Sequence, residues 1–389
     1  MTHQTAPVYL DHAATTAFRP PAVVRAVTAY LEEVGATPGR GGHRLAVAAG
    51  RIALRCRLGL ARLLDIPGDP GRIAFMFNAT HALNTALWGM LRSGDRVVVT
   101  AYDHNSVLRP VESLRRERSI SVVTIPGDAN GELDDAALDA ALDGARLLVV
   151  NGASNVLGTA PDVAALTAKA HAAGALVLLD AAQLAGHVPF SAAATNIDLL
   201  ALTGHKALLG PQGIGALWVQ PRLEIEPLLA GGTGGDSLLP DMPAALPDRL
   251  EAGSLNGPGI AGLGAGVDLL LHETVERVHE RLATLKATLR AGLLELEGVR
   301  VHSPAAPAAV PIVTITAKSL DPSTMALRLD REHGVLVRAG LHCAPGVHRL
   351  LGTTTTGALR FSLGMSNTEV DVRHALRAVA AVLGKERPA

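Results

Sequence analysis

The sequence predicts an α/β protein: a mostly parallel, seven-stranded sheet lying between helices, with a smaller α+β domain attached. Three observations predict it. From about residue 73 to 219, apolar β-rich runs alternate with helical patterns at a repeat of roughly 25 residues, as in chains built from βα units. Most of those runs are apolar at consecutive positions rather than alternate ones, which is the pattern of strands covered on both faces. After Gly257-Pro258-Gly259 the texture changes to a long helical stretch followed by short strands and helices.

The segment through about Asp65 reads as mainly helical and precedes the sheet. The seven strand runs are IAFMF (73–77), RVVVT (96–100), ISVVTI (120–125), RLLVVN (146–151), ALVLLD (175–180), DLLALT (198–203) and GIGALWV (213–219). Helical patterns at Thr80–Leu91, Asn105–Arg118, Asp134–Leu142 and Pro161–Ala173 lie between them. A long amphipathic helix is expected from about Ile260 to Leu296, then a Pro/Ala-rich link (SPAAPAAVP, 303–311). A strand (Ile312–Ala317), a helix (Ser323–His333), strands Val335–Arg338 and Ala358–Leu363, and a helix (Thr368–Leu383) follow, with KERPA as a frayed tail. This reads as a large domain over 15–260 and a small α+β domain formed by 1–14 and 261–389.

Composition narrows the function. Thirty-six acidic against 35 basic residues give a net charge of −1, so no global field exists to hold nucleic acid or an anionic membrane. No apolar run approaches the ~18 residues that span a bilayer, and MTHQTAPVYLD lacks a charged region followed by an apolar stretch. Two cysteines, Cys56 and Cys343, are too few for a disulfide scaffold, which fits a reducing cytoplasm. Only five lysines occur, at 169, 206, 286, 318 and 385, so any chemistry that needs an amine has few candidates.

Ligands of such sheets bind beyond the carboxyl ends of the strands, and residues just after each strand carry the most weight. Lys206 lies in TGHKALLGPQG, directly after the strand 198–203 and inside a Gly-rich turn. There it is either a solvated loop lysine or an amine placed to form a Schiff base with a carbonyl. Asp180 ends ALVLLD; it is either the N-cap of a following helix or an acid facing the same edge, able to pair with a protonated ring nitrogen. Pyridoxal 5′-phosphate needs such a partner, and a lysine and an acid ending two strands are more specific together than apart. Thr80 in FNATHALN opens a helix, where free N–H groups and a hydroxyl suit a phosphate or serve as an ordinary cap. His104 in YDHNS and Asn155 in NGASNVLG complete a set of polar residues at five strand ends.

The pieces YLDHAATT (9–16), TPGRGGHR (37–44), NATHALN, DHNS, SNVLG, DAAQ, TGHK, EAGSLN (251–256), RAGLHCA (338–344) and RFSLGMSNT (360–368) occur in order along nearly the whole chain. Together they resemble the pyridoxal-phosphate-dependent cysteine desulfurases of the class V aminotransferase fold. The resemblance implies fold type I and a homodimer with active sites at the subunit interface. It implies that Lys206 carries the cofactor and moves protons at Cα, that Asp180 partners the pyridinium, and that Gln183 donates to the ring's 3′ oxygen. His104 would stack on the ring. Thr80, Thr203 and His205 would bind the cofactor's phosphate, with Ser254 from the neighbouring subunit, and Ala79 would also contact the cofactor. Asn155, Arg360 and Ala14 would hold the substrate, Arg360 by its planar fork.

Cys343 would be the nucleophile, taking sulfur from L-cysteine as a persulfide and leaving L-alanine. Arg338, His342 and His348 lie close to it in sequence and could lower its pKa. Cys56, in the helical RIALRCRLG, reads as an inert buried residue, and no metal site is expected. Members with a short cysteine loop carry two histidines before the cysteine, whereas Leu341 stands before His342 here. A sulfur-acceptor protein is a further expected partner. Alternatives on the same fold are a selenocysteine lyase acting on L-selenocysteine, another C–S lyase, or a class V transaminase. GLGAG (262–266) imitates a dinucleotide loop, but no strand precedes it.

Overall fold

The computed structural model describes residues 7–39, 41–235, 237–305 and 310–384. The KERPA tail and the middle of the Pro/Ala-rich link lie outside the described residues. The chain opens with a short strand β1 (Val8–Tyr9), a helix α1 (Pro21–Ala29) continued by a π-helical turn, and a long helix α2 (Arg44–Leu63). The α/β region then runs β2 (Ile73–Met76), α3 (Ala79–Met90), β3 (Arg96–Thr100), α4 (Asn105–Arg118), β4 (Ser121–Ile125), α5 (Asp135–Leu142) and β5 (Leu147–Asn151). It continues with α6 (Val163–Ala172), β6 (Leu176–Asp180), the short α7 (Ala192–Thr195), β7 (Leu199–Thr203) and β8 (Gly215–Val219).

These strands form one sheet in the order β2-β8-β7-β6-β5-β3-β4, parallel except that β8 runs against both of its neighbours. Side chains of successive strand residues enter two separate apolar layers. Val98, Leu148, Val177 and Leu200 face one, and Val97, Leu147, Leu178 and Leu199 face the other. Burial on both faces is why the runs read as continuously apolar. The order reverses between β3 and β5, and such a switch opens a crevice at the carboxyl edge of the sheet.

The expected single helix over 260–296 is two helices, α8 (Gly257–Glu273) and α9 (Val275–Leu294). Thr274, at φ 61°, breaks the run and caps α9 with its hydroxyl. α8 packs along α1 and α2, while α9 packs on the last helix. GLGAG lies inside α8 and follows no strand. Beyond it come β9 (Val299–Val301), β10 (Ile312–Ala317), α10 (Pro322–His333), β11 (Val335–Leu336), β12 (Arg338–Gly340), α11 (Pro345–Leu351), β13 (Ala358–Ser362) and α12 (Glu369–Val382). The expected strand 335–338 is split. β11 pairs with β1, whereas β12 joins the antiparallel sheet β12-β13-β10-β9. β9 and α11 are short elements that the sequence reading did not include. Among the described residues, no helix is long and apolar enough to cross a membrane.

Candidate active site

Residues after β2, β3, β5, β6 and β7 converge on one cavity of about 250 Å³, closed on the other side by residues after β1 and by β12 and β13. Eleven of the thirteen expected residues line it: Ala14, Ala79, Thr80, His104, Asn155, Asp180, Gln183, Thr203, His205, Lys206 and Arg360. Lys206 and Asp180, on which the reading turned, face the same space.

Lys206 follows β7 in a turn closed by Gly204 N–H to the Ile214 carbonyl and Gly210 N–H to the Gly204 carbonyl. The glycines are there for packing. A Cβ on Gly204 would stand 2.9 Å from Ile214, and one on Gly210 would stand 3.0 Å from the Leu263 backbone in α8. Thr16 braces the turn by donating its hydroxyl to the Lys206 carbonyl at 2.9 Å. Burial pushes the Lys206 amine down to about 8; Asp180 pulls it up, and Arg360 and Arg338 push it further down. Asp180 is buried with Oδ1 accepting from Ala182 N–H at 3.0 Å, and no helix follows that it could cap. Burial raises its carboxyl, which Lys206 pulls back down.

His104 caps α4. Its Nδ1 accepts from the Ser106 N–H at 3.0 Å, so a neutral ring carries its proton on Nε2. Burial, reinforced by Lys206 and nearby arginines, pushes it down to about 4 and keeps it neutral. His205 is likewise lowered to about 4 by burial. Thr80 lies one residue inside α3, and the cap of that helix is Asn78, which accepts from His81 N–H at 3.0 Å.

Several polar atoms of this cavity's residues are buried without a partner among the described residues: Gln183 Oε1, Thr203 Oγ1, His205 Nδ1, Asn155 Oδ1 and Arg360 Nε. An orphaned buried polar atom costs on the order of 1–3 kcal/mol. Such a concentration in one cavity marks it as shaped for a polar ligand. An acid at one end, an amine beside it, and hydroxyl and imidazole groups next to the α3 N-terminus fit the ring, aldehyde and phosphate of pyridoxal phosphate. Gln183 gives one amide proton to the Ala13 carbonyl at 2.8 Å, so only its second remains for a ligand oxygen. Asn155 donates Nδ2 to the His342 carbonyl at 2.6 Å.

Two expected residues lie outside the cavity. Ser254 is exposed. Cys343 is an exposed free thiol on an adjoining groove, which shares Thr80, His104 and Ser106 with the cavity. Of the residues named near Cys343 in sequence, His342 and His348 are themselves buried. Burial, then Arg360, pushes His342 down to about 3, and burial lowers His348, so both rings are neutral at neutral pH. Cys56 is buried in α2 with its thiol pushed up to about 12. Among the described residues, no three His, Cys, Asp or Glu side chains come together as a metal site. Sequence reasoning gave no role to Asp11, although it stands inside the YLDHAATT motif. It accepts from Arg360 Nη2 at 2.6 Å.

A type I fold with a lysine and a buried acid at adjacent strand ends defines a class of enzyme, and comparison with known proteins agrees. The chain belongs to the aminotransferase class-V family, whose sequence profile matches residues 8–374. It is 35% identical over 378 residues to a probable cysteine desulfurase of Methanothermobacter thermautotrophicus, covering 94% of this chain and 92% of that one. It is 30% identical over 394 residues to a cysteine desulfurase of Rhodobacter capsulatus, covering 98% and 97%. The apo cysteine desulfurase of Thermococcus onnurineus NA1 superposes with a TM-score of 0.90 at 31% identity, over 97% of this chain and 95% of that one. The Escherichia coli cysteine desulfurase CsdA gives 0.86 at 29% identity, over 97% and 95%.

Proposed function

We propose that this protein is a cysteine desulfurase that uses pyridoxal 5′-phosphate. It converts L-cysteine and the Cys343 thiol into L-alanine and a Cys343 persulfide. The observation that carries the reading is Lys206 and Asp180 facing one cavity lined with orphaned polar atoms, with a free cysteine at its margin.

Asp180 would hold the proton on the ring nitrogen, Thr203, His205 and the start of α3 would take the phosphate, and Gln183 would reach the ring oxygen. When bound, the cofactor supplies an aldehyde for amines and a ring that accepts the electron pair released at Cα. Lys206, depressed towards neutral pH by burial, can then remove the Cα proton and return it. Arg360 presents its unpartnered Nε to the substrate carboxylate, and Asn155 stands beside it. The neutral His104 ring forms a flat wall without adding charge. Cys343 attacks the substrate sulfur: an S–S bond forms, the C–S bond breaks, and the electron pair left on carbon is protonated to give alanine.

We read the assembly as a homodimer. Exposed apolar side chains support this, with Val47, Leu54 and Leu58 along α2 and Phe18, Val24 and Leu31 elsewhere in the N-terminal segment, as does the exposed Ser254. We divide the chain into a large domain and a small one as the sequence suggests. The packing of α8 on α1 and α2 favours a boundary at Thr274 rather than at residue 260. A reduced Cys343 suits the cytoplasm, and a sulfur-acceptor protein would unload the persulfide.

Incubation of the purified holoprotein with L-cysteine should yield alanine and a mass gain of one sulfur on the Cys343 peptide. Cys343→Ala should abolish both while leaving cofactor binding intact. The placement of Cys343 outside the cavity favours one second reading, a C–S or C–Se lyase that does not use this thiol. Under it, Cys343→Ala still forms alanine from L-selenocysteine.

A further inference from the structure

Arg360, assigned above to the substrate carboxylate, already has a counter-ion. Its side chain is only 1% exposed, in the middle of β13. Nη2 donates to Asp11 Oδ1 at 2.6 Å, and Nη1 donates to the Asn155 carbonyl at 3.1 Å. Arg360 lines the cavity and Asp11 does not, so the acid reaches the guanidinium from behind. The Nε atom has no partner among the described residues.

Asp11 is held where it stands. It forms a backbone bridge with Ser362 two residues beyond Arg360, and its carbonyl accepts from the Tyr9 hydroxyl at 3.1 Å. The next residues are fixed too, since Ala13 N–H donates to Ser362 Oγ at 2.9 Å. A carboxylate arriving from the cavity therefore shares one guanidinium with a second carboxylate whose backbone is fixed. Arg338, paired with Arg360 across β12 and β13, also lines the cavity and forms no ion pair among the described residues.

We propose that Asp11 sets the cavity's grip on the substrate carboxylate, loosening it by neutralising Arg360 from behind. Asp11 keeps the buried guanidinium charge-balanced while the site is free. It also limits how tightly substrate and product, which carry the same carboxylate, are retained; binding both more tightly would lower KM without raising kcat. This rests on assigning Arg360 to the carboxylate, within the reading above. A purely structural Asp11 would instead close the seam between the N-terminal segment and β13.

The two roles separate in binding measurements on the holoprotein with L-alanine and with L-alaninamide, which lacks the carboxylate. Asp11→Asn keeps an oxygen for Nη2 and removes the charge. It should tighten L-alanine by about a hundredfold, the scale of one like-charge repulsion over roughly 6 Å at the effective dielectric of a protein site, and leave L-alaninamide unchanged. Asp11→Ser should shift the ratio of the two affinities in the same direction. Equal weakening of both ligands, an unchanged ratio, or failure of both variants to fold would each overturn the proposal. The desulfurase reading is tested separately by alanine release from cysteine, and its failure leaves the ligand ratio readable.

Discussion

Lys206 carries a cost that can be measured. Its amine falls from 10.5 to about 8, first through burial and then through Arg360 and Arg338, against Asp180 and Cys343. That drop corresponds to about 3 kcal/mol. The unfolded chain holds this proton up to 10.5 and the folded chain releases it near 8, so stability rises with pH between those values. Below 8 both states are protonated and the penalty is present in full. Replacing Lys206 by Met in the cofactor-free protein should therefore stabilise it at pH 7 by up to about 3 kcal/mol, less whatever Asp180 loses with its partner. For a chain of this length that is a rise in Tm of about 4 °C. The gain should shrink as pH climbs towards 10. Chemically, the neutral fraction at pH 8 exceeds that of an ordinary lysine by about 150-fold. Covalent capture of pyridoxal phosphate, trapped with borohydride and mapped by mass spectrometry, should level off above pH 8 at Lys206. Lys286 is the internal control: burial lowers its amine to about 8 as well, but it lies outside the cavity and should not be labelled. A capture rate that climbs tenfold per pH unit through pH 10, or a Met variant less stable at pH 7, would refute the reasoning.

Glu251 and Arg57 are a buried pair at 2.6 Å, and Glu251 also accepts from Phe75 N–H at 2.6 Å. Glu251→Ala leaves Arg57 Nη2 and the Phe75 N–H buried without their acceptor, Arg57 keeping only its Nε bond to the Ile73 carbonyl, so a loss of about 3–5 kcal/mol in denaturant melts is expected, and Ser254, three residues on, should become more accessible to proteolysis. Gly346, in the first turn of α11, faces the Ala101 carbonyl oxygen, which an added Cβ would meet at 2.2 Å. Gly346→Ala should cost about 1–3 kcal/mol and change the alkylation rate of Cys343, read by mass spectrometry on the folded protein.

The sheet was legible because its strands are buried on both faces, which leaves unbroken apolar runs such as Leu147–Val150. The strand-end residues were legible because an α/β sheet brings its carboxyl ends to one edge. What the sequence could not carry was interaction between distant segments. The break at Thr274 depends on where α8 and α9 must pack, since the local pattern stays helical through it. β11 and β12 diverge because Val335 meets the N-terminal strand while Arg338 meets Arg360, a choice between partners more than three hundred residues apart in one case. Histidines 342 and 348 were placed near Cys343 by sequence alone, and their burial, which lowers both rings, depends on tertiary packing that the local sequence does not carry. Asp11 stood in a quoted motif and still had no visible role, because its partner lies on β13.

The turn that carries Cys343 joins these strands of argument. His342 and Cys343 both adopt left-handed backbone, at φ 51° and 57°, each at a cost of about 1–2 kcal/mol for a residue with a side chain. Such strain persists only where the surroundings over-determine it. Here the His342 carbonyl accepts from Asn155, and the Cys343 carbonyl accepts from Asn105 N–H at 2.8 Å. Below the turn, the Arg338 carbonyl can only accept, so His342 Nε2 bears the proton and its bare Nδ1 takes one from His348 Nε2. His348 Nδ1 must then accept from the Thr353 hydroxyl at 2.8 Å, which makes the chain one of neutral rings with fixed tautomers. Asn155 is the link that matters, because its backbone carbonyl holds Arg360 while its side chain holds the cysteine turn. The group proposed to orient the carboxylate and the thiol proposed to receive sulfur are thus referenced to one residue. A displacement of Asn155 should disturb substrate affinity and Cys343 reactivity together, whereas two independently held groups would fail one at a time.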